Sequence, residues 1–165
     1  MNQNLEKGFL TGDEALDELV AARPDSILGI PFLIGLAATV LFPPPRLPAP
    51  MVQVLGAALI GSGLLVSTWA VRTMASRGAS PDALRPPATL VTTGAFGFSR
   101  NPIYLGFVLF YAGVGLLLNS LWIVLLTPAV IVGLTLAIIV RDERLLEKRF
   151  GDEFHTYRAK VRRWV

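Results

Sequence analysis

Uncharged apolar stretches alternate with short polar connections along most of the chain. The first, from Ser26 to Phe42, has seventeen residues without a charge, which suffices for a thin or tilted membrane crossing at 1.5 Å per residue. Another apolar stretch, 102–140, is too long for one helix and is interrupted at Asn119-Ser120. The pattern predicts four transmembrane helices, at about 26–42, 51–71, 102–118 and 121–140.

Charged residues limit the fourth span. Burying Arg141, Asp142, Glu143 and Arg144 at the bilayer centre would cost about 2.5–3.5 kcal/mol per charge, so we expect the fourth helix to stop near Val140. Beyond it, apolar residues recur at helical spacing: Leu146, Phe150, Phe154, Tyr157, Val161 and Trp164. The predicted fold class is an all-α integral membrane protein with a C-terminal amphipathic helical segment, in which Gly151 is a candidate break.

The basic residues are distributed unevenly among the connections. Two lie before the first span, one between the first and second, four between the second and third, none between the third and fourth, and eight after the fourth. By the positive-inside rule, the N-terminal segment 1–25, the loop 72–101 and the tail 141–165 are all cytosolic. The segment 1–25 lacks the order of a signal peptide and is interpreted as retained, ahead of a membrane domain at 26–165.

Composition narrows the chemistry. Hydrophobic residues make up 53% of the chain and charged residues 16%, which favours a membrane protein whose partner is the lipid bilayer. The sequence has no cysteine, which excludes disulfides, thiolate nucleophiles and iron–sulfur clusters, and its single histidine, His155, argues against a histidine-based metal site or a Ser-His-Asp triad. We predict no metal, and lipid rather than nucleic acid opposite the basic tail.

Two polar motifs flank the predicted hairpin. The first, at 90–106, reads LVTTGAFGFSRNPIYLG, and the second, at 141–164, reads RDERLLEKRFGDEFHTYRAKVRRW. Together they resemble the superfamily of isoprenylcysteine carboxyl methyltransferases and phospholipid N-methyltransferases. Its signature is Arg-His-Pro-x-Tyr or Arg-Asn-Pro-x-Tyr, then an apolar hairpin, then a Glu-Glu pair. The ordered combination is more specific than either motif alone.

The resemblance implies an S-adenosylmethionine-dependent methyltransferase acting on a lipid-like or isoprenoid-bearing acceptor at the cytosolic face. It assigns the cofactor and active-site positions to six residues: Arg100, Asn101, Pro102, Tyr104, Asp142 and Glu143. Three positions depart from the commoner pattern. Asp142 replaces the first Glu, and Ala95 and Gly97 stand where relatives often have Pro and Arg.

The chemistry of the cofactor gives these residues roles. S-adenosylmethionine carries an ammonium, a carboxylate, a sulfonium and an apolar adenine. Glu143 and Asp142 can accept hydrogen bonds from the ammonium, and Arg100 can bind a carboxylate of the cofactor or the substrate. Tyr104 can supply a ring edge or a hydroxyl. We predict Arg100 and Glu143 as the catalytic pair, because methyl transfer from a sulfonium depends mainly on positioning.

Other interpretations remain open at this stage. The chain could be an NADPH-dependent reductase of lipid double bonds, although it has no Gly-rich dinucleotide loop. It could be a non-enzymatic membrane scaffold or partner subunit whose basic tail holds lipid, and Arg100 and Tyr104 could then be interfacial anchors. Gly61-Ser62-Gly63 resembles a Gly-x-Gly element of phospholipid methyltransferases, yet small residues in membrane helices more often permit close packing.

Overall fold

The computed structural model describes residues 24–79 and 89–165, and every regular element within those two stretches is helical. The helices are α1 (Pro24–Leu41), α2 (Ala49–Ser76), α3 (Ala95–Phe98), α4 (Pro102–Leu117), α5 (Leu121–Leu134), a π-helical turn (Thr135–Ile139) and α6 (Val140–Lys160). The predicted cytosolic segment 1–25 lies outside the described residues except for its last two, and so does Arg85 of the predicted loop 72–101.

Three helical runs are long and apolar enough to cross a membrane. They are Pro24–Leu41, Ala49–Ser76 and Leu121–Phe150, which correspond to three of the four predicted spans. Many large apolar side chains on them face outward, as on Val40, which is 75% exposed, and this is the surface expected against lipid. The remaining helix, Pro102–Leu117, is apolar but only 16 residues long. The span predicted at 102–118 therefore stays a prediction.

Glycines bring α2 and α4 into close contact. A Cβ atom added at Gly63 would meet the Gly106 carbonyl oxygen at 2.5 Å, and one added at Gly56 would meet the Gly113 carbonyl oxygen at 2.9 Å. Small residues at such positions let two helix backbones approach. A Cβ at Gly61 would meet nothing within 4 Å. The structure therefore assigns Gly63 to helix packing and leaves Gly61 facing open space.

One end of the bundle is closed by short connections. The break between α4 and α5 falls where Asn119-Ser120 predicts it, and the Ser120 side chain caps α5 by accepting a hydrogen bond from the backbone N–H of Ile123. The Asn119 amide exchanges two hydrogen bonds with the backbone of Leu47, of 3.2 and 3.0 Å. The connection between α1 and α2 therefore meets the turn between α4 and α5 at this end of the bundle. The C-terminal ends of α2 and α5 lie at the opposite end.

The helical backbone does not stop near Val140, and that prediction is wrong. It continues from α5 through Thr135–Ile139 into α6. Hydration of the charges limits where they lie relative to lipid, but Arg and Glu are good helix formers and do not end a helix. The interruption occurs at Gly151, whose φ of 47° and ψ of −120° are non-helical. Glycine tolerates this conformation because it lacks a Cβ.

Candidate active site

The first half of the site is the turn that leads into α4. Gly94 has a φ of 60°, and a Cβ there would meet the Thr73 hydroxyl at 2.8 Å, so this tight approach to α2 requires glycine. The short helix α3 follows, and the chain extends through Ser99 before Pro102 begins α4. Proline suits the first turn of a helix, where its missing N–H costs no hydrogen bond. The turn consequently presents Arg100 and Asn101 at the polar end of the bundle.

Arg100 reaches Glu143 on α6. The Nη2 atom of Arg100 lies 3.0 Å from Oε1 of Glu143, and the two side chains are only 8% and 10% exposed. The two residues belong to the two motifs on either side of the apolar hairpin. The antiparallel arrangement of α4 and α5 therefore brings them together, as the sequence predicts for a shared site.

A second guanidinium holds the same carboxylate. Arg163 donates from Nε to Oε1 of Glu143 at 3.1 Å and from Nη2 to Oε2 at 2.6 Å. This two-pronged geometry is the strongest that a carboxylate and an arginine form. Both oxygens of Glu143 are thus engaged by arginines, which leaves the cluster of three charges with a net charge of about +1.

The backbone of the C-terminal residues completes the cluster. The Arg100 N–H donates to the Arg162 carbonyl oxygen at 3.0 Å. The Arg163 carbonyl oxygen accepts from the Asn101 side-chain amide at 3.0 Å and from the Ser99 hydroxyl at 3.3 Å. Asn101 and Ser99 are buried, so these bonds satisfy polar groups that water does not reach.

Tyr104 and Asp142 form a second, looser contact. The Tyr104 hydroxyl donates to Oδ2 of Asp142 at 3.4 Å, a long hydrogen bond. Asp142 is half-buried and precedes Glu143 on α6. All six predicted site residues therefore lie at one end of the bundle, with Arg100 and Glu143 in direct contact and Tyr104 paired with Asp142.

The pKa values of Arg100 and Arg163 are shifted in opposite directions. Burial lowers the pKa of the Arg100 guanidinium, although the Glu143 carboxylate opposes this shift. The hydrogen bonds to Glu143 raise the pKa of Arg163. Two donors of Arg100, Nε and Nη1, are buried and contact no acceptor in the described part of the chain. Buried donors of a charged group are costly without a partner.

Sequence reasoning missed three contributors. The Tyr157 hydroxyl donates to the Phe96 carbonyl oxygen at 2.7 Å, which ties α6 to α3, and burial raises the pKa of this phenol. The helical spacing of Phe154 and Tyr157 was a signal for burial, but not for this bond. No sequence pattern marked Ser99 or Arg163 as a site residue, because their contacts form only where residues 161–164 fold back onto the turn before α4. No cluster of potential metal-ligating side chains occurs within 24–79 and 89–165.

Comparison with known proteins decides the family. The profile described as phospholipid methyltransferase matches residues 51–153, well over half of the chain. The chain belongs to the phospholipid methyltransferase family. The resemblance inferred from Arg100 to Tyr104 and from Asp142-Glu143 is thereby confirmed. The phospholipid methyltransferase family implies a membrane methyltransferase, in keeping with the apolar helices, and does not favour the reductase or scaffold alternatives.

The phospholipid methyltransferase match covers nearly all of α2 to the first part of α6. The motif at 90–106 lies inside it, and the motif at 141–164 lies inside it as far as residue 153. One similar curated protein, an uncharacterized protein of Haemophilus influenzae, is 56% identical over 27 residues, which are 16% of this chain and 43% of that protein. The chain thus spans under half the length of this relative. No solved structure matches the chain.

Proposed function

We propose that this protein transfers a methyl group from S-adenosylmethionine to a lipid-like acceptor, at a carboxyl oxygen or an amine nitrogen. The observation that carries the proposal is the buried Arg100 side chain, which Glu143 fixes through one nitrogen while the other two have no acceptor among residues 24–79 and 89–165. A small anion that enters this end of the bundle would meet a guanidinium whose direction is fixed by Glu143. The family supplies the reaction class.

The donor set suits the carboxylate of the cofactor. After Nη2 binds Glu143, the Nε and Nη1 atoms of Arg100 remain. They lie on different edges of the guanidinium, so a carboxylate can accept a charge-assisted hydrogen bond from one or the other, but not from both at once. Low exposure of Arg100 strengthens such a pair, because water screens it less. A carboxylate borne by the acceptor would suit the same donors. Arg100 is therefore assigned to bind and orient an anionic group.

The ammonium of the cofactor needs a carboxylate with a free oxygen. Both oxygens of Glu143 already accept from arginines, whereas Asp142 accepts, within the described part of the chain, only the long bond from Tyr104. We therefore assign the ammonium to Asp142 and give Glu143 the role of fixing Arg100. Asn101 and Pro102 shape the turn, and Tyr104 lines the site beside Asp142.

The reaction requires little acid–base chemistry from the chain. When bound, S-adenosylmethionine supplies a methyl group already activated on a sulfonium, and transfer depends on an in-line approach of the acceptor. Arg100 and Asp142 would fix both ends of the amino-acid part of the cofactor. The apolar faces of the helices would admit the acceptor from the bilayer and exclude water.

The basic residues favour the cytosol for this end of the bundle. Arg72, Arg77 and Arg100 lie at it together with the C-terminal bases, while Arg46 lies at the opposite end. In this orientation the cofactor enters from water, and both termini are cytosolic. The acceptor enters laterally at the membrane boundary.

Calorimetry with S-adenosylmethionine and with its demethylated product tests the proposal on the purified protein. We expect binding that Asp142→Asn weakens by about tenfold, the scale of one charged hydrogen bond. Asp152→Asn is the matched control, because Asp152 is exposed on the same helix. A folded preparation that binds neither compound would refute the proposal. Incubation with labelled methyl donor and membrane lipids would then identify the acceptor of a protein that binds.

A further inference from the structure

The last residues of the chain return to the candidate site. Helix α6 ends at Lys160, and Val161 is extended, with φ of −121° and ψ of 130°. This directs the following residues back toward the turn that precedes α4. Trp164 packs, half-buried, against the apolar core, so the returning segment is fixed on both sides.

Arg163 contacts both halves of the site. Its backbone carbonyl oxygen accepts from Ser99 and Asn101 of the turn, and its guanidinium holds Glu143 of α6. The Oε1 atom of Glu143 that accepts from Arg163 is also the atom that contacts Arg100. The direction in which Glu143 presents this oxygen therefore depends on Arg163.

We infer that Arg163 is a positioning residue, which orients Arg100 through Glu143 and so makes the end of the chain part of the methyl-donor site. The inference rests on the proposed function for its consequence in catalysis, while the coupling of the two arginines is a property of the folded chain. A lipid-anchoring arginine would point its guanidinium at the headgroups. The Arg163 side chain is instead 34% exposed and forms two bonds to one carboxylate.

Three variants separate positioning from charge. Arg163→Gln removes the guanidinium but keeps the backbone carbonyl that Ser99 and Asn101 need. Arg163→Lys keeps the charge but cannot make the parallel pair of hydrogen bonds. Lys160→Gln is the matched control, because it removes one positive charge from an exposed side chain three residues earlier.

The first readout is the affinity for the demethylated cofactor, measured by calorimetry. We expect Arg163→Gln and Arg163→Lys each to weaken binding about tenfold, and Lys160→Gln to leave it unchanged. Full affinity in Arg163→Lys would show that charge alone matters and would overturn the inference. Equal weakening in Lys160→Gln would do the same, because it would reveal a general effect of the basic tail.

The second readout needs no cofactor. The Nε–H resonance of Arg100, followed by NMR of nitrogen-labelled arginine in micelles and assigned by its loss in Arg100→Gln, should shift or broaden in Arg163→Gln and stay unchanged in Lys160→Gln. An Arg100 resonance that is unchanged in Arg163→Gln would overturn the inference, whatever the binding data show. A wild-type protein that binds no cofactor would refute the proposed function, and this resonance would still decide the coupling.

Discussion

Arg100 and Glu143 form a buried ion pair, in which Nη2 of Arg100 lies 3.0 Å from Oε1 of Glu143. Arg100 lies in the turn before α4, and Glu143 lies on the first turn of α6. Between them in the chain lie two apolar helices and the π-helical turn. Because α4 and α5 run antiparallel, the two charges meet again at one end of the bundle. The distance between these two side chains therefore depends on how the α4–α5 hairpin packs.

Glu143→Gln should destabilise the protein strongly. The change leaves the side chain of Arg100, 8% exposed, without its counter-charge, and it replaces one of the two oxygens that accept from Arg163 by an amide nitrogen that can only donate. Loss of one partner of a buried ion pair costs about 3 kcal/mol or more. We expect a decrease of this size in the free energy of unfolding, measured by denaturant titration in mixed micelles.

Glu147→Gln is the control for this variant. Glu147 lies one turn further along α6, where its side chain is 39% exposed and pairs with His155. Exposed pairs contribute at most about 1 kcal/mol. Equal stability of the two variants would contradict the importance assigned to the Glu143 cluster.

Arg100→Gln should affect binding more than folding. Glu143 keeps its two-pronged contact with Arg163, so the carboxylate is not left alone. The two donors of Arg100 that have no acceptor among the residues the structure describes are lost with the guanidinium, and so is the proposed contact to a carboxylate. We expect the affinity for S-adenosylmethionine to fall about 10- to 100-fold in calorimetry. Arg72→Gln, at an exposed position near the end of α2, should bind as the parent does.

The sequence predicts that Arg100 and Glu143 lie at the same end of the bundle, but it does not predict the residues that surround them there. The apolar stretches and the Asn119-Ser120 interruption indicate an antiparallel hairpin, and a hairpin necessarily returns the chain to the same end. The role of Arg163 depends on the extended backbone at Val161, which no periodic pattern records. The end predicted at Val140 was wrong because charge restricts membrane depth and not helical backbone. Gly151, a candidate break, is where the helix is interrupted.

Gly63→Ala tests whether the glycines of α2 serve packing. The added Cβ would meet the Gly106 carbonyl oxygen at 2.5 Å, and neither backbone can move without disturbing the other helix. Overpacking of this kind costs about 1–3 kcal/mol. We expect the same titration in micelles to show a loss of stability in this range.

Gly61→Ala is the matched control within the same Gly-x-Gly element. A Cβ at Gly61 meets nothing within 4 Å, and alanine is favoured over glycine in a helix by about 1 kcal/mol. The variant should therefore be as stable as the parent or slightly more so, with unchanged affinity for the cofactor. A marked loss of cofactor affinity in Gly61→Ala would instead favour a direct binding role for this element.

The absence of cysteine from the sequence makes the proposed orientation testable by labelling. Arg46 follows α1 in the connection at one end of the bundle, and Lys160 ends α6 at the other, so single variants Arg46→Cys and Lys160→Cys report on opposite faces. The excess of basic residues at the Lys160 end favours the cytosol there. In intact cells, a membrane-impermeant maleimide should label Arg46→Cys fully and Lys160→Cys only after permeabilisation. The reverse pattern would place the candidate site outside the cytosol, away from the supply of the methyl donor. Equal labelling in intact cells would contradict the placement of the two positions on opposite sides.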